Sequence, residues 1–221
     1  MEPISVQPMR EQVAAILRKA IFSGELKPGQ ELVQEEIANQ LGISRMPVRE
    51  AFQILERDGL ITLQSHRKAV VRILTDDEIS DHYEIRALLE GEAAARAAKH
   101  PGEHEEILSA FEDTVKMADQ GSTSEFVSAN EAFHRSIWEA SHSPRLVMLL
   151  NLLWNGLPPH LPELLPQQPS RSAQEHARIV EAIRAGHDDE ARAAMTEHVL
   201  RSLGDFLHHR SEITGGDAQK N

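Results

Sequence analysis

The chain has 221 residues, 40% hydrophobic and 26% charged, which is the composition of a folded protein rather than a disordered tract. It contains no cysteine, so disulfide scaffolds, thiolate zinc sites and cysteine nucleophiles are excluded. The longest apolar run, Leu146 to Trp154, contains Asn151 and falls well short of the roughly 20 residues that span a bilayer. Met1-Glu2-Pro3 lacks the basic start of a secretory leader, so a cytoplasmic protein with no membrane partner is expected. The net charge of −12 is unevenly held: residues 1–74 carry ten Lys/Arg against nine Asp/Glu, and residues 75–221 carry 13 against 26. Eleven of the 12 histidines also lie in the second part, so the two parts are suited to different partners.

Val13, Ile16, Leu17, Ala20 and Ile21 recur at helical spacing and predict a first helix ending before Gly24. After the turn Lys27-Pro28-Gly29, a second helix is expected over about 34–40, with Ile37, Ala38 and Leu41 apolar. Gly42 forms the next turn, and Ser44 is a good N-cap for a third helix reaching Arg57, with Val48, Ala51, Phe52 and Leu55 as its buried stripe. Leu60 to Leu63, the polar turn Ser65 to Lys68, and Ala69 to Ile73 read as a β-hairpin. Three short helices and a hairpin make a winged helix-turn-helix over residues 1–74.

From Thr75 the pattern is helical. Thr75-Asp76-Asp77-Glu78 is a capping box with acids in the first turn. Helices are expected near 76–99, 103–119, 124–141, 144–156, 170–185 and 188–209. Five prolines from Pro158 to Pro169 demand an irregular loop, and a polar tail over 211–221 is expected to be disordered. The fold class is therefore mainly α: the winged head, then an all-α bundle of six to seven helices over 75–210.

Arg45 and Arg49, at i and i+4, project from the third helix away from its apolar stripe. At the start of a recognition helix they would reach base edges in the major groove, where a guanidinium fork matches guanine O6/N7. Ser44, the first-turn amides and the wing cations His66, Arg67 and Lys68 would meet phosphates. The run Ile21-Phe22-Ser23-Gly24-Glu25-Leu26-Lys27-Pro28-Gly29, with Glu36 to Ala51 including Ser44-Arg45-Met46-Pro47-Val48-Arg49-Glu50, resembles the GntR family of bacterial transcription regulators. The resemblance implies double-stranded DNA with a short palindromic operator, read by a homodimer. Two positions depart from it: Met46 stands beside Arg45 where threonine is usual, and Glu35 where relatives often place a DNA-contacting arginine. The wing also lacks the family's common glycine, with Lys68 in that neighbourhood.

In the bundle, Asn130 and His134 lie one turn apart on one helix face, and His176 and His198 lie on two later helices. Three imidazoles and a carboxamide converging in a bundle would suit a divalent transition metal, although spacing alone does not select these from the other histidines. The segments Glu84 to Glu90, Asn130-x-x-Phe133-His134, Glu175-His176 with Ile179-x-x-Ala182-Ile183, and Ala191-x-x-Ala194-Met195-x-x-His198 resemble the FCD ligand-binding domain of the FadR subfamily. That resemblance implies Zn2+ or Ni2+ on Asn130, His134, His176 and His198. It also implies an effector carboxylate on Arg86, with Ser172 and Ser202 near the same pocket. Asn130 stands where aspartate is commoner; a site without a carboxylate leaves the metal's charge uncompensated and favours an anionic guest such as a carboxylic, hydroxy or sugar acid. Arg86 is also spaced for an ion pair with Glu90 or Glu84. His100, His104, His187, His208 and His209 are expected at the surface.

The reading that follows is a regulator, more often a repressor in this family, and not an enzyme. One alternative is a regulator that senses the metal itself. A metal-dependent enzyme acting on a small acid is the other, disfavoured because no carboxylate is placed as a general base beside the four residues and because a DNA-reading head would be superfluous.

Overall fold

The computed structural model describes residues 8–22, 25–64, 68–100, 102, 104–121, 123–156 and 168–217. The chain separates into two compact units between Leu74 and Thr75.

The first unit contains α1 (Met9–Phe22), β1 (Glu31–Val33), α2 (Gln34–Leu41), α3 (Arg45–Arg57), β2 (Ile61–Leu63) and β3 (Lys68–Val71). Its core is the predicted stripe of α3, with Val48, Ala51, Phe52 and Leu55 all fully buried against Val13, Ala14 and Leu17 of α1. Between α2 and α3, Gly42 takes the left-handed conformation at φ 67°, and the Ile43 N–H closes on the Ala38 carbonyl at 3.0 Å. Ser44 then enters α3 with extended geometry at the N-cap, although its hydroxyl makes no capping bond. Arg18 of α1 reaches the otherwise buried Asp58 carboxylate at 2.5 Å, tying α1 to the end of α3.

The wing is a three-stranded antiparallel sheet in the order β1-β3-β2 rather than a two-stranded hairpin. The added strand pairs Leu32 with Ala69, thirty-odd positions away in sequence, and buries only Leu32. Three residues with one buried side chain give no readable alternation, so β1 leaves no signal in the sequence.

The second unit holds α4 (Asp76–Ala98), α5 (Glu105–Gln120), α6 (Thr123–Ala140), α7 (Pro144–Gly156), α8 (Gln168–Ala185) and α9 (Asp188–Asp217). The Thr75 hydroxyl accepts from the Glu78 N–H at 3.2 Å, and the Glu78 carboxylate accepts from the Thr75 N–H at 2.9 Å, which completes the predicted capping box. Small residues on α4, including Ala87, Gly91, Ala94 and Ala98, let α9 approach closely: a Cβ on Gly91 would stand 2.5 Å from the Thr196 hydroxyl. Phe126, Phe133, Ile137 and Trp138 of α6, with Ile179 and Ile183 of α8, fill the centre.

Helix α9 continues to Asp217, past the expected end near 209 and into the tail expected to be disordered. The proline-rich loop (157–167) and residues 218–221 lie outside the described residues. Among the described residues, no helix is long and apolar enough to cross a membrane.

Candidate nucleic-acid interface and metal centre

On the first unit, Arg45, Met46 and Arg49 are all exposed at the start of α3, with Ser44 immediately before them. Arg45 is not unattended: its guanidinium lies 3.6 Å from the Glu35 carboxylate on α2. Lys68, at the start of β3, donates to Glu31 of β1 at 2.6 Å. Two of the expected DNA-facing cations are therefore balanced by glutamates of the β1–α2 segment. Both pairs are solvent-exposed, so each is worth at most about 1 kcal/mol and can open against phosphate. His66 and Arg67 lie outside the described residues.

In the second unit the fold brings His134 (α6), His176 (α8) and His198 (α9) together. All three are buried, and each offers a ring nitrogen within 4.8 Å of the others. Asn130 is buried one turn before His134. The Nε2 atoms of His134 and His198 face each other at 3.3 Å. Their outer nitrogens are held: His134 Nδ1 lies 2.5 Å from Glu90, and His198 Nδ1 lies 2.7 Å from Glu175. A carboxylate can only accept, so each Nδ1 carries the proton and each Nε2 of a neutral ring presents a lone pair inward. His176 differs. It stacks on Phe133 with centroids 4.1 Å apart, and neither of its buried nitrogens has a partner.

Burial keeps two of these rings, His176 and His198, neutral. Burial pushes His176 well below the ordinary histidine range, with the neighbouring His198 and His134 adding to the effect. Burial likewise pushes His198 down to about 4, opposed by its bond to Glu175. Burial would raise the Glu90 carboxyl, but the Arg86 guanidinium, His134 and the Trp138 N–H outweigh it and hold the group well below the usual carboxylate range.

These features fit a cation. Tetrahedral metal–nitrogen bonds of about 2.0–2.1 Å place ligand nitrogens roughly 3.3 Å apart, as the two Nε2 atoms are. Neutral imidazoles with outer carboxylate partners are the form in which histidine binds a metal. The unpartnered nitrogens of His176 would otherwise be an uncompensated cost of burial.

The structure corrects several expectations. The site does not lack carboxylates: Glu90 and Glu175 stand directly behind two of the histidines, each bonded to an arginine, Arg86 at 2.5 Å and Arg201 at 2.7 Å. Sequence reasoning missed both because they come from α4 and α8, and only the fold puts them behind His134 and His198. The one local signal was the i, i+4 spacing of Arg86 and Glu90.

Arg86 forms that buried ion pair and lies over the Trp154 ring at 4.3 Å, so its side chain is already engaged. Ser172 accepts from Arg201 at 3.2 Å, and the Ser202 hydroxyl donates to the His198 carbonyl of its own helix. His104 is buried rather than exposed, with Nε2 3.1 Å from the Ala97 carbonyl, because the turn before α5 folds it back onto the end of α4. His187 and His208 are exposed, whereas His100 and His209 are partly buried.

A winged helix-turn-helix followed by a helical bundle with a buried polar centre defines a DNA-binding protein with a second, all-helical unit. Residues 9–71 match the model described as bacterial regulatory proteins of the gntR family, and residues 81–201 match the FCD domain. The chain is 34% identical over 208 residues to the "Probable D-xylose utilization operon transcriptional repressor" of Paenarthrobacter nicotinovorans, covering 91% of this chain and 90% of that one. It is 30% identical to the Glc operon transcriptional activator of Escherichia coli K12, again over 91% and 90%. The solved structure of E. coli McbR/YncC has the same fold, at a TM-score of 0.75 and 23% identity, over 92% of this chain and 100% of that one. The chain belongs to the GntR family of bacterial transcriptional regulators, in its FCD-domain branch.

Proposed function

We propose that this regulator is a homodimeric repressor whose operator affinity is set by a small organic acid bound beside a divalent metal in the bundle. The observation that carries this is the set of three buried, inward-facing imidazoles, one with no hydrogen-bond partner at all. In this reading His134, His176 and His198, with the Asn130 carboxamide, hold Zn2+ or Ni2+. The metal supplies a Lewis-acidic anchor for carboxylate or hydroxyl oxygens. Because Glu90 and Glu175 are each matched by an arginine, the dication's charge stays in excess, which favours an anionic guest: a carboxylic, hydroxy or sugar acid. In this reading Ser172 and Ser202 meet that guest by exchanging their bonds to Arg201 and the His198 carbonyl, and Arg86 by sharing its guanidinium with Glu90.

Arg45, Arg49 and Met46 read bases, while Ser44 and the wing residues His66, Arg67 and Lys68 meet phosphates. Helix α7 supports the dimer: Leu146, Leu150 and Trp154 are buried, while Met148, Leu149 and Leu152 stay exposed on a helix with no acidic residue. Two bundles of strongly negative charge would meet there without setting carboxylates of α7 against each other. A repressor sense agrees with the name of the Paenarthrobacter relative. Burial of all three imidazoles favours a second reading in which the metal itself is the signal.

Elemental analysis of the purified full chain tests the common premise. About one divalent transition metal per chain is expected, falling sharply in His198→Ala; a wild-type chain that takes up none overturns it. Chelation without any acid separates the two readings: altered DNA binding then favours the metal as signal.

A further inference from the structure

We propose that Arg201 and Glu175 are positioning residues for the metal, fixing the tautomer and aim of His198 from outside the ligand set. The inference rests on the metal reading above. The His198 ring has two nitrogens and a bare choice of which carries the proton; Glu175 makes that choice by accepting from Nδ1 at 2.7 Å, which turns the Nε2 lone pair toward His134 Nε2. Glu175 in turn is not free to swing away. Arg201 Nε lies 2.7 Å from one of its oxygens and 2.9 Å from the other, and the same guanidinium is fixed by Gln168 and Asp205, each at 2.5 Å, and by Ser172. Guanidinium, carboxylate and imidazole thus form a chain that begins on α9, crosses to α8 and returns to α9.

Arg86, Glu90 and His134 make the same sequence of groups from α4 to α6, with the Trp138 N–H as an additional donor to Glu90 at 3.0 Å. The two chains are not equally accessible to test. Glu90 is wholly buried, so its removal would strand the Arg86 charge inside the bundle, whereas the Glu175 side chain is 20% exposed. His176 has no such hydrogen-bonded support and is set by ring contacts, stacked on Phe133 and edge-on to His134 and His198.

The test is zinc affinity of the full chain, measured by competition with a chromophoric chelator, for wild type, Glu175→Gln and Glu175→Leu. Ring-nitrogen NMR of the metal-free proteins is recorded alongside. Glu175→Leu is expected to lose about 10–100-fold in zinc affinity and to show His198 as a mixture of tautomers. Glu175→Gln keeps an oxygen that accepts from Nδ1–H, so it retains the wild-type tautomer and loses about tenfold or less. The Gln variant's retained tautomer also decides the matter if the Leu variant does not fold, because a Gln variant with mixed tautomers overturns the proposal. Wild type that binds zinc while Glu175→Leu binds equally, with its tautomer unchanged, overturns the positioning role alone. Wild type that binds no zinc overturns the metal reading and this inference with it.

Discussion

Replacing His176 with leucine should stabilise the metal-free protein while removing its response to metal. The ring is fully buried and neither nitrogen has a hydrogen-bond partner, so in the absence of a metal a donor and an acceptor are both desolvated for nothing. Each such group costs about 1–3 kcal/mol. Leucine has similar volume and no polar atom, but it forfeits the stacking on Phe133, worth about 0.5–1.5 kcal/mol. The balance is a gain of about 0.5–5 kcal/mol in the chelated protein. Both tryptophans, Trp138 and Trp154, lie in the bundle, so urea unfolding followed by tryptophan fluorescence reports on that unit and not on the DNA-binding head. Added zinc should raise the wild-type midpoint by mass action and leave the variant unmoved. A chelated His176→Leu protein less stable than wild type would show that the nitrogens are satisfied without metal, and the argument from their orphaned state would fall.

Other parts of the account are open to equally direct checks. Burial, then the Arg86 charge, push His82 down to about 4, so its protonation opposes folding. The stability it contributes is complete above its unfolded value near 6.5 and is lost as pH falls from there toward 4. At ~1.4 kcal/mol per tenfold change in proton affinity the loss is at most about 3 kcal/mol, and His82→Asn should flatten this part of the stability–pH curve. Gly91→Ala should destabilise the bundle by about 1–2 kcal/mol despite its better helix propensity, since the new Cβ meets the Thr196 hydroxyl at 2.5 Å and the Arg192 backbone carbonyl at 3.2 Å. An unchanged urea midpoint would show that α9 yields at no cost. Arg49→Ala should weaken operator binding by about 1–3 kcal/mol without altering the fold, measured by fluorescence anisotropy on a selected operator. Glu35→Gln should raise affinity for random-sequence duplex up to about fivefold by releasing Arg45, an effect that shrinks with salt; equal affinities would mean the pair has no hold on that arginine.

Local chemistry made the helices readable. The left-handed Gly42 and the Thr75–Glu78 capping box are short-range devices, written in adjacent residues and found where the sequence placed them. The buried stripe of α3 was equally plain, because periodicity over thirteen residues is a strong signal. Strand β1 was hidden because its partner is distant and its own contribution is one leucine. The candidate metal centre divides along the same line. Convergence of His134, His176 and His198 was anticipated only through the family resemblance, since three helices must first pack for it to exist. Glu175 and Arg201, and the place of Glu90 behind a histidine, escaped notice because acids and arginines on an amphipathic helix ordinarily face water. Only the packing of α4 on α6 and of α8 on α9 turns these toward the histidines. The ion pair that engages Arg86 was visible as an i, i+4 spacing, but its burial was not.

The central claim is that an acid acts on DNA binding through the metal. The most direct measurement takes an operator selected from a random duplex pool by the full chain and follows its affinity by anisotropy against small carboxylic, hydroxy and sugar acids, with and without chelation. The account predicts that at least one acid shifts operator affinity by about 5–150-fold, the range of 1–3 kcal/mol of coupling, and that chelation abolishes the shift. An acid response that survives complete removal of the metal would contradict it.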